Sequence, residues 1–110
     1  MNTASTSKTI ETAAAYSVGI ASYYSNSLHG RKTASGEVYD KDKLTAAHKT
    51  LPFQTKVEVR NTKNSRTVVV VINDRLPQTN KREIDLSEEA AKSLDMMKDG
   101  IVEVELRLLK

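Results

Sequence analysis

The chain has no cysteine among its 110 residues. Disulfides, thiolate metal sites and a cysteine nucleophile are therefore excluded, and the fold must stand on packing alone. Only two imidazoles are present, His29 and His48, and neither has the close His–carboxylate spacing of a zinc site. No metal and no cofactor is expected. No apolar run is long enough to span a bilayer, so membrane insertion by this chain is not expected either. The N-terminus shows neither the hydrophobic stretch of a signal peptide nor a lipid-carrying cysteine, so no export signal is expected within this chain. There is no block of charge of one sign. Lys and Arg number 17 against 14 Asp and Glu, giving +3, with the basic residues scattered from Arg31 to Lys110. A surface of this kind favours anionic polymers in general, and its sign alone does not choose between a phosphate backbone and an anionic wall. Nucleic acid is not the expected partner.

With 38% hydrophobic and 28% charged residues the body of the chain reads as one globular domain. Residues 1–17 are rich in Ser, Thr and Ala without apolar periodicity and form the expected flexible N-terminal arm; residues 18–110 form the domain. Ile20 to Tyr24 suits a strand, and His29 to Gly36 reads as a long exposed loop broken by Gly30 and Gly36. Lys56 to Arg60 alternates, Asn61 to Ser65 is turn-rich, and Thr67 to Ile72 is a continuous β-branched run expected of a strand buried on both faces. Those two runs predict a hairpin. Ser87 to Leu94 carries an N-cap residue, acidic first-turn residues and good helix formers, with Gly100 as a stop. Val102 to Leu108 alternates again as a half-exposed strand. The fold class expected is mainly β: a small barrel of many strands with one or two short helices.

Four stretches carry a resemblance: GIASYYSNSLHGRKTASGE (19–37), LTAAHKTLPFQTKVEV (44–59), VVVVINDRLP (68–77) and IDLSEEAAKSL (84–94). The order and spacing of TASGE, TAAH, NDR and IDLS resemble the rare lipoprotein A family over Gly19 to about Leu108. That resemblance implies a six-stranded double-psi β-barrel with a groove, a place in the bacterial periplasm or cell envelope, and peptidoglycan glycan strands as partner. It also implies lytic transglycosylation of strands stripped of peptide, by a domain expected to be a monomer. Carried over by position, the acidic catalytic residue falls on Asp74, with His48 and Glu37 lining the same groove. Tyr24, Arg75 and Lys49 are expected to bind substrate.

The implied chemistry is consistent with a single carboxyl group. It protonates the glycosidic oxygen, and the carboxylate left behind takes the proton of the muramic acid 6-hydroxyl as that oxygen attacks C1. Hydrolysis needs a second carboxylate to handle water; this reaction does not. An apolar setting that kept Asp74 protonated could come from Val68 to Ile72, and an inward Arg75 would oppose it. Read without the resemblance, Asp74 is an Asx-turn residue, Glu37 a solvated loop charge, and His48 a histidine bonded to loop backbone. Asp85 reads as a cap or loop tether, and of Tyr23 and Tyr24 one is core while the other presents a ring to a sugar.

Glycines implied by the family pattern are replaced by Ser25, Gln54, Ser65 and Leu76. Leu76 either strains the turn after Asp74 or changes it and covers part of the groove; Pro77 favours the second by biasing Leu76 to negative φ. These departures leave a non-catalytic, expansin-like glycan-binding module as the alternative, with a protein-interaction barrel as a third reading.

Overall fold

The computed structural model describes residues 16–109. The first 15 residues of the expected arm lie outside the described residues. The elements are β1 (Tyr16–Tyr23), a 3₁₀ turn (Asn26–Leu28), β2 (Thr45–His48), β3 (Lys56–Asn61), β4 (Thr67–Arg75), β5 (Ile84–Leu86), α1 (Glu88–Ser93) and β6 (Val102–Leu108). The strands close in the order β1-β5-β2-β4-β3-β6. The β1/β5 and β2/β4 pairings are parallel and the others antiparallel. This is the six-stranded double-psi β-barrel, with one short α-helix.

Alternation builds the interior. Val57 and Val59 of β3, Val70 and Ile72 of β4, Ile84 and Leu86 of β5, and Val104 and Leu106 of β6 all point inward and are buried. Each such side chain contributes about 1.5–3 kcal/mol on leaving water. The helix adds Ala90 and Ala91, followed by Leu94 and Met96, to the same core. Ser87 caps it, its Oγ accepting from the Ala90 N–H at 3.3 Å and from the Thr45 N–H at 3.3 Å, which also fastens β2.

The β3–β4 hairpin forms as the alternation and turn signals predict. The β-branched run of β4 is not buried on both faces, however: Val68, Val70 and Ile72 face the core while Val69 is exposed. A closed barrel covers only its inner face, so the β-branched residues at Val69 and Val71 reflect strand propensity rather than burial.

Of the four replaced glycines, Gln54 (φ 73°) and Ser65 (φ 66°) do occupy the left-handed region. Ser25 sits at φ −67° as cap of the 3₁₀ turn, and Leu76 has negative φ. Gly19 is required for a different reason. A Cβ there would lie 2.5 Å from the Glu83 Cβ, because the Glu83 N–H donates to the Ile20 carbonyl at 2.8 Å and holds the two segments together.

Candidate active site

The carboxyl-terminal end of β4 is shaped by a bulge. Ala46 pairs with Ile72 but Ala47 pairs with Asp74, so Asn73 is an extra residue with no partner on β2. A bulge re-aims the side chains that follow it. Asp74 is thereby placed beside a second, smaller cluster of Tyr24, Tyr39, Ala47 and Leu76, separate from the main core. The apolar setting expected from Val68 to Ile72 is therefore not what surrounds it: Val68, Val70 and Ile72 line the barrel interior, and Val69 is exposed on the outer face.

Three donors hold the Asp74 carboxyl group. Oδ1 accepts from the backbone N–H of Ala34 and of Arg75, both at 2.8 Å. The Tyr24 hydroxyl donates to Oδ2. The Tyr24 ring is itself clamped against Tyr39, with centroids 4.4 Å apart and planes 32° apart. Burial first, and the hydrogen bond to Asp74 next, push the Tyr24 hydroxyl far above the usual tyrosine range, so it remains protonated as a donor. In front of this pair lies a cavity of about 260 Å³ walled by Leu28, Arg31, Lys32, Thr33 and the two tyrosines, with the half-buried Asp74 in its lining.

The TASGE segment, Thr33 to Glu37, is clamped onto the end of β4. Besides the Ala34 contact, the Ser35 N–H donates to the Asn73 carbonyl at 3.3 Å, and Glu37 accepts from Asn73 Nδ2 and Gln54 Nε2, each at 3.2 Å. Glu37 faces a neighbouring cavity of about 410 Å³ with Asp40, Lys43 and Thr45. The structure thus joins this segment to Asp74 through the Ala34 backbone, and joins Glu37 to Asn73.

His48 is buried on the opposite side of the β2–β4 pairing. Its Nδ1 accepts from the N–H groups of Thr50 and Leu51, both at 3.1 Å, and its Nε2 lies 3.1 Å from Glu83 Oε2. With Nδ1 committed as acceptor, the proton sits on Nε2 and the ring is neutral. Burial pushes its pKa below the ordinary value, against the pull of Glu83. The bonding to loop backbone expected of His48 is present. The link to the Asp74 segment runs through main chain: the Leu76 N–H donates to the His48 carbonyl at 3.2 Å.

Arg75 points away from Asp74. Its Nη1 donates to the carbonyls of His48 (3.0 Å) and Leu51 (2.7 Å), and its guanidinium lies 4.6 Å from the Phe53 ring centre. Lys49, half-buried, makes no ion pair or hydrogen bond through its side chain among the described residues. Tyr23 is the core member of the tyrosine pair, its hydroxyl donating to the Met97 carbonyl at 2.8 Å. Tyr24 is also buried, at 7% exposure, and presents its hydroxyl rather than a ring face to the site. Asp85 is a tether: it accepts from Ser22 Oγ at 2.5 Å, and burial pushes its carboxyl above the usual range. Leu76 packs with the tyrosines from behind and does not cover the cavity mouth.

Two contributors escaped the sequence reading. Tyr39 supports Tyr24 and takes the first helical N–H, that of Glu88, on its hydroxyl at 3.1 Å. Asn73 is the bulge residue that receives Glu37. Among the described residues no three His, Asp or Glu side chains converge in a way that would hold a metal ion, and no helix is long and apolar enough to cross a membrane.

Residues 16–106 match the family model described as lytic transglycolase. The chain is 52% identical over 88 residues to the "Probable endolytic peptidoglycan transglycosylase RlpA" of Treponema pallidum, covering 80% of this chain and 28% of that protein. It is 50% identical over 91 residues to the endolytic peptidoglycan transglycosylase RlpA of Campylobacter jejuni, covering 83% of this chain and 33% of that one. The chain therefore spans about a third of the length of these relatives. Among solved structures, the apo expansin of Clavibacter michiganensis superposes with a TM-score of 0.69 at 22% identity, over 86% of this chain and 50% of that one, and shares the fold. With the four motifs, the closed barrel and the family match in agreement over the same residues, this chain belongs to the lytic transglycolase family, the rare lipoprotein A proteins.

Proposed function

We propose that this domain cleaves peptide-free peptidoglycan glycan strands in the bacterial periplasm or cell envelope by lytic transglycosylation, with Asp74 as the acid and then the base. The observation that carries this reading is the unequal treatment of the two Asp74 oxygens. Oδ1 faces two N–H groups that can only donate, so it remains an acceptor throughout. Oδ2 faces a tyrosine hydroxyl, which donates to a carboxylate and accepts from a carboxylic acid simply by rotating. Proton exchange with substrate is thus confined to Oδ2, at the cavity.

In the first half of the reaction the Oδ2 proton passes to the glycosidic oxygen and the bond from that oxygen to C1 of muramic acid breaks. In the second, the 6-hydroxyl oxygen of the same sugar forms a bond to C1 while its proton returns to Oδ2. The products are a free hydroxyl on the leaving sugar and a 1,6-anhydro ring, and no water is consumed. The names of the relatives, endolytic peptidoglycan transglycosylases, agree with this chemistry.

The test is Asp74→Asn. The amide oxygen can keep both N–H bonds, and the amide nitrogen can donate to Tyr24, so fold and glycan binding should survive while proton transfer does not. Mass spectrometry of digests of denuded strands should show 1,6-anhydro ends falling by roughly a hundredfold or more. Anhydro product at the parent rate would remove Asp74 from the mechanism. A parent that binds strands without producing anhydro ends would leave the domain a glycan-binding module.

A further inference from the structure

The cavity in front of Asp74 has one wall that the proton-transfer chemistry does not use. Arg31 and Lys32 both line it. Both side chains are exposed, and neither makes an ion pair or a side-chain hydrogen bond among the described residues. Their backbone, by contrast, is tied down: the Arg31 N–H donates to the Leu28 carbonyl at 3.1 Å, the Arg31 carbonyl accepts from the Tyr39 N–H at 2.7 Å, and Lys32 bridges Val38. Two adjacent cations are thus presented from a fixed segment, over a cavity of about 260 Å³ that opens on the reacting carboxyl. The neighbouring Arg75 cannot share this task, being committed to two carbonyls and the Phe53 ring.

An unpaired cation pair beside a glycan site calls for an anion on the glycan. A muramic acid residue stripped of its peptide carries one, the carboxylate of its lactyl ether. A residue that still bears peptide has a neutral amide at the same atom. We infer that Arg31 and Lys32 read the free lactyl carboxylate of muramic acid and so make this domain select peptide-free strands. This rests on the glycan-strand reading above and assigns its selectivity to two residues. Guanidinium and ammonium groups both suit a carboxylate, Arg through paired N–H donors and Lys as a point charge.

The experiment compares denuded strands with the same strands after carbodiimide coupling to methylamine, which turns each lactyl carboxylate into an amide without adding a peptide. Parent, Arg31→Gln, Lys32→Gln and the double variant are assayed for 1,6-anhydro ends and, separately, for co-sedimentation with each strand preparation. Thermal melts confirm folding. The parent should favour denuded over amidated strands by about three- to tenfold at low salt, the range that two exposed charge contacts give together. The ratio should shrink as salt rises, and in the double variant it should collapse toward one. A parent that treats both strands alike, or a double variant that keeps the parent's ratio, overturns the inference. If the parent makes no anhydro ends at all, the lytic reading falls while co-sedimentation still decides the carboxylate contact. Binding to neither preparation overturns both.

Discussion

Replacing Leu76 by glycine tests how the site is supported. Leu76 is 9% exposed and packs with Tyr24, Tyr39 and Ala47, with Leu28 alongside. Its φ is negative, so no left-handed strain is stored there for glycine to relieve. Truncating a buried leucine to alanine costs about 2–5 kcal/mol, and a small cluster at the barrel rim can partly collapse, which favours the lower end. Going on to glycine adds about 0.5–1 kcal/mol of backbone entropy. The sum is about 3 kcal/mol, or a fall in melting temperature of roughly 12–24 °C for a domain of this size. Because Leu76 backs the tyrosine pair, the loss should also loosen the hydroxyl that meets Asp74 and lower turnover on denuded strands. Leu76→Met, which conserves volume, should cost about 1.5 kcal/mol or less and keep turnover. Urea titration followed by circular dichroism measures the stability, and anhydro-end counting the activity. A glycine variant that melts at or above the parent temperature refutes the packing role, and one that melts lower with undiminished turnover refutes the support of Tyr24.

Three further outcomes are expected. Ser65→Gly should stabilise the domain by up to about 1 kcal/mol, since φ 66° strains serine more than glycine's entropy costs; an unchanged or lower melting temperature counts against that strain. Because burial lowers the His48 pKa in the folded state, its contribution is present above the ordinary histidine value of about 6.5 and is lost as pH falls through the lower folded value. The unfolding free energy should therefore decline from pH 7 toward pH 5, with a shallower decline in His48→Gln; equal slopes in the two proteins contradict the assignment. Treatment with EDTA should leave anhydro-end formation unchanged, because the described His, Asp and Glu side chains provide no converging ligand set, and an activity lost to chelator and restored by a divalent ion would contradict this.

Local signals in the sequence were enough for the parts of this protein whose physics is local. The alternation of Lys56 to Arg60 and of Val102 to Leu108 decides which side chains face inward in β3 and β6. Ser87, with Glu88 and Glu89 behind it, decides where the helix starts. Of the four glycines that the family pattern implies, those replaced by Gln54 and Ser65 fall on left-handed residues, whereas Ser25 and Leu76 have negative φ because their turns differ. Asp74, the position that the resemblance singles out, lines a cavity. What surrounds Asp74 was decided elsewhere. The Tyr24 hydroxyl on its Oδ2 is 50 residues away in the chain, and the Ala34 N–H on its Oδ1 is 40 away. Both meet it only because β4 pairs in parallel with β2 and carries a bulge at Asn73, a register that no run of valines announces. The same pairing turned Arg75 onto the His48–Phe53 loop, locked His48 between two N–H groups and Glu83, and brought Tyr39 beneath Tyr24. Periodicity speaks for which face a residue takes within its own strand; the partner it meets there depends on where the barrel closes, and only the tertiary structure contains that closure.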